Sequence, residues 1–213
     1  MNTALFFDTE TTGLPLFKEP SEHPGQPHIV QLGAALVDLD TWKVLATLDV
    51  ICKPDGWTIP ADVAVIHGIT TEHALDVGVS ESMAVGMLLE LWNESKPRTR
   101  IAHNTQFDDR IVRIALMRHE DEPLADRWKA GPTECTQLLA TPIMNLPPTP
   151  KMRAAGFNKP KSANLREAYQ FFTGQELKNA HSAMADVRGC MAVYRAIKAG
   201  QREAFKAPEA VAA

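Results

Sequence analysis

Apolar and polar positions along this chain set out strands first and helices later. Ala4 to Phe7 is an unbroken apolar run closed by polar residues on both sides, the pattern of a short buried strand that ends at Asp8. Ile29 to Val37 is apolar on both faces and predicts a central strand. Lys43 to Ile51 predicts a third, and Asp38-Leu39-Asp40-Thr41 is the turn between them, so this part of the sheet is an antiparallel hairpin. Arg100 to Ala102 and Thr133 to Thr136 are short fourth and fifth strands.

Elsewhere the apolar period lengthens to that of helices. Ile59 to His67 reads as a short helix stopped by Gly68. Ser80 caps a helix through Glu94 with the stripe Ala84, Met87, Leu88 and Leu91. His103-Asn104 opens one whose inward face is Phe107, Ile111, Ile114 and Ala115. Pro123 to Lys129 makes a helical turn and Gln137 to Ala140 a helical piece. Asn164 and Glu167 form a capping box for a helix that carries Leu165, Ala168, Tyr169 and Phe172 and stops at Gly174. The last helix runs from Ser182 to Ala199 on the stripe Ala183, Met184, Val187, Cys190, Met191, Tyr194 and Ile197. The expected class is α/β, a mixed five-stranded sheet flanked by helices, as one domain over 1–200 with a flexible tail over 201–213.

Two stretches punctuated by Pro and Gly are loops: 15–28, and Pro142 to Lys161. The first follows the Asp8 strand end directly, and both a site-lining and a surface-connection reading stay open.

Composition narrows the classes. The 213 residues are 45% hydrophobic and 23% charged, ordinary globular usage. No apolar run approaches the ~20 residues of a membrane helix, and no basic segment leads into an apolar one at the N-terminus. Cys52, Cys135 and Cys190 are widely spaced and odd in number, which disfavours zinc or a disulfide framework and fits a cytoplasmic setting. The net charge of −4 gives no global sign of nucleic-acid binding.

The chemistry gathers in three stretches. Asp8 and Glu10 lie two apart on an extended chain, so both point to one face at a strand end, the place where sites collect in open α/β sheets. Paired carboxylates repel, and magnesium or manganese is their natural partner; an exposed turn is the other reading. Asp108 and Asp109 fall in a helix's first turn, where the dipole favours negative charge. Asp186 sits beside the apolar stripe of the last helix, an expensive place for a carboxylate without a partner. His181 stands just ahead of that helix.

In order, D-x-E-T-T-G, H-N-x-x-F-D and H-x-A-x-x-D, with Ile66-His67-Gly68-Ile69-Thr70 between the first two, resemble the DEDDh exonucleases. The proofreading ε subunit of bacterial DNA polymerase III and its stand-alone and phage-type relatives belong to that family. The resemblance covers Leu5 to Ile197. It implies an RNase H-like fold, two divalent metal ions (Mg2+ or Mn2+), and 3′→5′ release of nucleoside monophosphates from single-stranded DNA ends. An RNA-trimming relative, or a catalytically idle nucleic-acid-binding module, are the alternatives.

By the same resemblance Asp8, Glu10 and Asp186 are ligands of the first ion, Asp8 bridges to the second, Asp108 holds that one, and His181 is the general base. Thr11, Thr12, Gly13 and Leu14, with His67, Gly68 and Ile69, match segments that hold the terminal nucleotide; Asn104 and Phe107 match the segment bordering the substrate. One departure is visible: Gln31 stands where the second strand often carries an acid. Two metals ~4 Å apart serve both ends of an in-line displacement, and a histidine can take the water's proton near neutral pH.

Two further features concern binding. Lys151, Arg153, Lys159, Lys161 and Arg166 place five cations and no acid within 151–166, together with Phe157. This is a strand track, through Lys159 and Lys161, or a solvated loop. Gln201 to Phe205 faintly matches a sliding-clamp-binding pentapeptide; neither a clamp nor a polymerase partner has other support in the sequence.

Overall fold

The computed structural model describes residues 2–206 apart from 94 and 120, with the backbone alone over 201–206. Strands β1 (Thr3–Thr11), β2 (Ile29–Asp38), β3 (Val44–Ile51), β4 (Thr99–Ala102) and β5 (Thr133–Cys135) make one sheet in the order β3-β2-β1-β4-β5. β2 is antiparallel to both β1 and β3, while β1, β4 and β5 run parallel. The sheet is mixed, as the hairpin required.

Strand alternation sends β1 side chains to two different layers. Leu5 and Phe7, with Leu32, Ala34 and Leu36 of β2, pack on α3 (Glu81–Trp92), α4 (Thr105–Arg118) and α5 (Glu122–Ala130). Ala4 and Phe6, with Ala35 and Val37, pack on α9 (Ala183–Lys206) through Met184, Val187, Cys190 and Tyr194. Both faces of β1 are thus dry, which is why its N-terminal half is an unbroken apolar run.

On the first face Phe7 meets the edge of Trp128 at 5.6 Å, and the fully buried Arg100 lays its guanidinium over Trp128 at 3.8 Å. On the second, Gly33 lets α9 reach the sheet: a Cβ there would lie 2.7 Å from the Ala183 carbonyl carbon.

Most predicted elements are present, with differences that have physical causes. β1 runs on to Thr11, so Asp8 and Glu10 lie inside a strand rather than past its end. α1 (Ala61–His67) begins after an extended Pro60 and leaves Ile59 outside the helix and buried. α2 (Thr71–Val77) was not predicted; the Thr70 hydroxyl caps it by accepting the His73 N–H. α3 stops at Trp92 because Asn93 turns left-handed.

α6 (Thr136–Met144) passes straight through Pro142, and the carbonyl that proline leaves unbonded belongs to Leu138, a residue 70% exposed to solvent. α7 (Pro150–Ala154) interrupts the expected Pro142–Lys161 loop, with Thr149 as cap and Pro150 at the first helical position. α8 (Leu165–Thr173) shows the capping box between Asn164 and Glu167. α9 continues to Lys206, beyond Ala199 and past the expected boundary at 200. The side chains of the Gln201–Phe205 pentapeptide and the tail over 207–213 lie outside the described residues.

Loop 15–28 is fastened rather than loose. The buried Gln26 side chain accepts the Leu16 N–H at 3.0 Å and donates to the Pro20 carbonyl at 2.9 Å. From α4, Arg118 donates to the Gln26 and Pro27 carbonyls and to Glu81, and Arg110 donates to the Glu19 carbonyl.

Candidate active site

Pairing of β1 with β4 stops at Phe6 opposite Ile101, while pairing with β2 continues through Asp8 opposite Gly33 and Glu10 opposite Gln31. Beyond Phe6 the sheet therefore opens on one side of β1. Asp8 and Glu10 occupy that opening on the α9 face. Thr9 between them points the other way, toward α4, where its N–H and its hydroxyl donate to Asp108 Oδ1 at 2.9 and 2.8 Å.

Asp108 is 2% exposed in the first turn of α4, and Asn104, in the left-handed conformation at φ 71°, starts that helix. Asp186 comes from the fourth residue of α9. Its Oδ2 accepts the His181 N–H at 3.2 Å, whereas its Oδ1 is buried and has no hydrogen-bond partner among the described residues. His181 is itself left-handed at φ 71°, a strained conformation for a residue with a Cβ and one that gathers at functional sites. One ligand atom each from Glu10, His181 and Asp186 lie within 4.8 Å of one another.

The four acids resist ionising together. Burial, then the charges of Asp108, Asp186 and Glu10, hold the Asp8 carboxyl well above the usual carboxylate range. Burial and the Asp186 charge push Glu10 up to about 7. Burial pushes Asp108 up to about 8, against the pull of its two Thr9 hydrogen bonds. Burial raises Asp186 as well, opposed by the His181 N–H and by the charges of His181 and Arg166. Hard oxygen donors that repel one another, one of them buried without a donor, are the kind of set that could hold a hard divalent cation.

Asp109, the neighbouring candidate, is turned away from the others. It lies 2.9 Å from the Arg100 guanidinium, which pulls its carboxyl down against burial and leaves it at about 6. Of the two adjacent acids, Asp108 is the one tied to the strand that carries Asp8 and Glu10.

A family model described as exonuclease matches residues 5–194. The chain belongs to the exonuclease family. It is 28% identical to exodeoxyribonuclease I of Escherichia coli K12 over 211 residues, 96% of this chain and 42% of that protein. The chain thus spans about two-fifths of the length of the curated relatives it matches. Among solved structures, E. coli exonuclease I with a dT13 oligonucleotide aligns at TM-score 0.71 and 24% identity, covering 96% of this chain and 43% of that one. The zinc-bound form of the E. coli ExoI–ssDNA complex aligns at 0.70 and 23%, covering 96% and 42%. These likenesses carry the fold, the RNase H-like α/β architecture expected above.

In this exonuclease-family chain the segments expected to hold a nucleotide divide into two kinds. The Thr11 hydroxyl donates to the Gly13 carbonyl and the Thr12 hydroxyl accepts the His28 N–H, so both shape the turn, and Leu14 beyond them is 79% exposed. His67 ends α1, with Gly68 left-handed after it; its Nδ1 accepts the Ile69 N–H at 3.1 Å and its Nε2 is buried without a partner among the described residues. Burial, and then the charge of His181, lower the His67 pKa.

Ile69 is buried with Val30, Ile59 and Ala74, so its side chain is core. Phe107 packs against the α3–α4 layer, and Asn104 supplies a backbone conformation rather than a side-chain cap. Lys161 is paired with Glu167, the capping-box acid of α8, while Phe157 is 62% exposed and Lys159 exposed.

Three contributions near the acids escaped the sequence reading. Thr9 is the middle residue of D-x-E, and alternation alone sends it to the opposite helix. Gln31 accepts the Ala183 N–H at the start of α9. Arg166, in the first turn of α8, acts on Asp186; the sequence showed it only as one of the cations of 151–166, at a helix start where the dipole disfavours positive charge.

Proposed function

We propose that this chain hydrolyses phosphodiester bonds at the 3′ ends of single-stranded DNA, releasing nucleoside monophosphates with the help of two divalent ions, Mg2+ or Mn2+. The observation that carries the proposal is the convergence of Asp8, Glu10, Asp108 and Asp186 from three elements on one opening, with the Asp186 Oδ1 buried and unpartnered. Glu10, Asp186 and Asp8 would hold one ion, and Asp8 with Asp108 the other. Bound there, the ions supply the positive charge that a phosphate and a leaving 3′ oxygen need.

The chain's own residues do the rest. His181 is exposed and beside Glu10 and Asp186, so it can take the attacking water's proton and pass it to solvent. Its backbone N–H holds Asp186 in one rotamer, leaving Oδ1 free for the ion. Leu14, with the His67 segment, lines the approach for the terminal nucleotide, and Lys159 with Phe157 grips strand farther out. The oligonucleotide complexes of E. coli exonuclease I support single-stranded DNA as the substrate.

Digestion of matched 5′-labelled DNA and RNA oligonucleotides with magnesium, manganese or EDTA tests this. A ladder of DNA shortened from the 3′ end, absent in EDTA, is expected. Faster digestion of RNA would make the chain an exoribonuclease, and binding without cleavage in either metal would make it an idle binding module.

A further inference from the structure

Gln31 is where the chain departs from the acid that the second strand of this family often carries, and its surroundings give it a task. It lies on the α9 face of β2, directly opposite Glu10, and is 9% exposed. Its Oε1 accepts the Ala183 N–H at 3.1 Å, one of the first-turn amides that find no acceptor within a helix. Its Nε2 donates to Asp49 Oδ1 on β3 at 2.8 Å. An N–H requires an acceptor and a carboxylate requires a donor, so both partners dictate the same orientation of the amide.

Two residues along β2, on the same face, Gly33 lies opposite Asp8. A Cβ there would fall 2.7 Å from the Ala183 carbonyl carbon and 2.8 Å from the Met184 nitrogen. The start of α9 is therefore seated on β2 by backbone contact at Gly33 and by a hydrogen bond at Gln31, opposite the two acids of β1.

We propose that Gln31, oriented by Asp49, is a positioning residue of this site: it fixes the start of α9, and with it His181 and Asp186, against the strand that carries Asp8 and Glu10. The proposal deepens the exonuclease reading and rests on it. Gln31 touches neither ion nor substrate; it acts through Ala183. A glutamate at 31 would accept the same N–H but would set one more carboxylate opposite Glu10 and against Asp49. Glutamine with Asp49 keeps the acceptor and moves the negative charge one strand outward, to an exposed side chain.

Four variants test this: Gln31→Leu, Gln31→Glu, Asp49→Asn and the double variant Gln31→Glu/Asp49→Asn. Gln31→Glu faces two carboxylates and loses the bond to Asp49. In the double variant the carboxylate introduced on β2 accepts hydrogen bonds from both the Ala183 N–H and the amide introduced on β3, and the pair's total charge is that of the parent. Calorimetric Mn2+ titration and steady-state kinetics on an oligonucleotide are measured for each.

Gln31→Leu and Gln31→Glu are expected to lose about 10–100-fold in Mn2+ affinity and in kcat, the usual effect of removing a residue that orients a metal ligand, with KM little changed. The double variant should recover most of both losses, and Asp49→Asn alone should lose less than Gln31→Glu. A Gln31→Leu protein that melts lower but keeps the parent's Mn2+ affinity and kcat overturns the proposal. So does a double variant no better than Gln31→Glu, and that comparison decides if Gln31→Leu does not fold. A parent that binds Mn2+ yet cleaves nothing defeats the exonuclease reading alone; the Mn2+ titrations of the same variants then still decide for or against Gln31.

Discussion

Asp108 on α4 is held to Thr9 on β1 by two hydrogen bonds to a single carboxylate oxygen, 2.9 Å from the backbone N–H and 2.8 Å from the hydroxyl. In the proposed two-ion site the other Asp108 oxygen would be the cation's. Both bonds favour the ionised form and oppose the burial that raises this carboxyl to about 8. Thr9→Val keeps the side chain's shape and the backbone bond but removes the hydroxyl. The Asp108 pKa should then rise further, and Mn2+ half-saturation should require a higher pH. Activity at neutral pH should fall about tenfold, the size of one lost hydrogen bond to a charge, and recover in part at pH 9. Mn2+ titrations of parent and variant at both pH values check this; an unchanged pH dependence would remove Asp108 from the metal site.

The metal-free protein should lose stability as pH rises from about 5 to 8. Glu10 at about 7 and Asp108 at about 8, with Asp8 and Asp186 also raised, keep protons in the folded state that the unfolded chain gives up near pH 4. The folded state then binds more protons than the unfolded one, so the slope of stability against pH is negative across that window. Carboxyls with lowered values, such as Glu81 and Glu167, contribute stability that is lost only at more acidic pH, and His67 and His103, lowered by burial, oppose the slope only up to the ordinary histidine value, so the decline is expected to be steepest above it. Added Mn2+ should flatten or reverse the slope. Asp8→Ala should abolish cleavage, raise the metal-free melting temperature at pH 8 and shrink the Mn2+ increment. Melting curves at four pH values, with and without Mn2+, supply the comparison.

His181→Ala should lower kcat by roughly 10²–10⁴, the usual worth of general acid–base catalysis, while Mn2+ affinity and melting temperature hold. His181 also lies within reach of the Glu10 and Asp186 ligand atoms. If Mn2+ affinity falls in step with kcat, the residue is a ligand rather than the base.

Gly33→Ala should damage both fold and site. The new methyl would meet backbone atoms of Ala183 and Met184 at under 3 Å, and backbone cannot swing aside as a long side chain does. Overpacking of this kind costs about 1–3 kcal/mol, and the start of α9 would be pushed away from Asp8. Chemical denaturation combined with Mn2+ titration should show the two losses together. A stable variant with full metal affinity would mean that α9 tolerates displacement.

Lys159→Ala should weaken binding of long single strands and reduce the dependence of log affinity on log salt by about one phosphate contact, leaving dinucleotide cleavage nearly untouched. Lys161→Ala should instead act mainly through α8, because Lys161 is paired with the capping-box Glu167. Filter binding at several salt concentrations separates the two, and equal responses would remove the track reading.

Much of this chain can be read from its residues because the determining forces are local. The apolar run before Asp8, the Asn164–Glu167 capping box, and the helical stripe from Ala183 to Ile197 announce their elements through neighbours a few positions away. Motif order and spacing point to Asp8, Glu10, Asp108, His181 and Asp186 as the proposed catalytic set through the family resemblance. Propensity misled where the local penalty falls on solvent, as at Pro142 in α6.

What only the tertiary structure decided depends on partners far apart in sequence. Thr9 and Asp108 are 99 residues apart, and Gln31 and Ala183 are 152. Nothing in either local pattern announces those bonds, because each exists only after the sheet has brought α4 and α9 to the open end of β1. The motif already points to Asp108, but what separates it physically from Asp109 is tertiary in the same way. A fully buried guanidinium from β4, stacked on Trp128, claims Asp109, and the adjacent carboxylate, left to Thr9, faces the site.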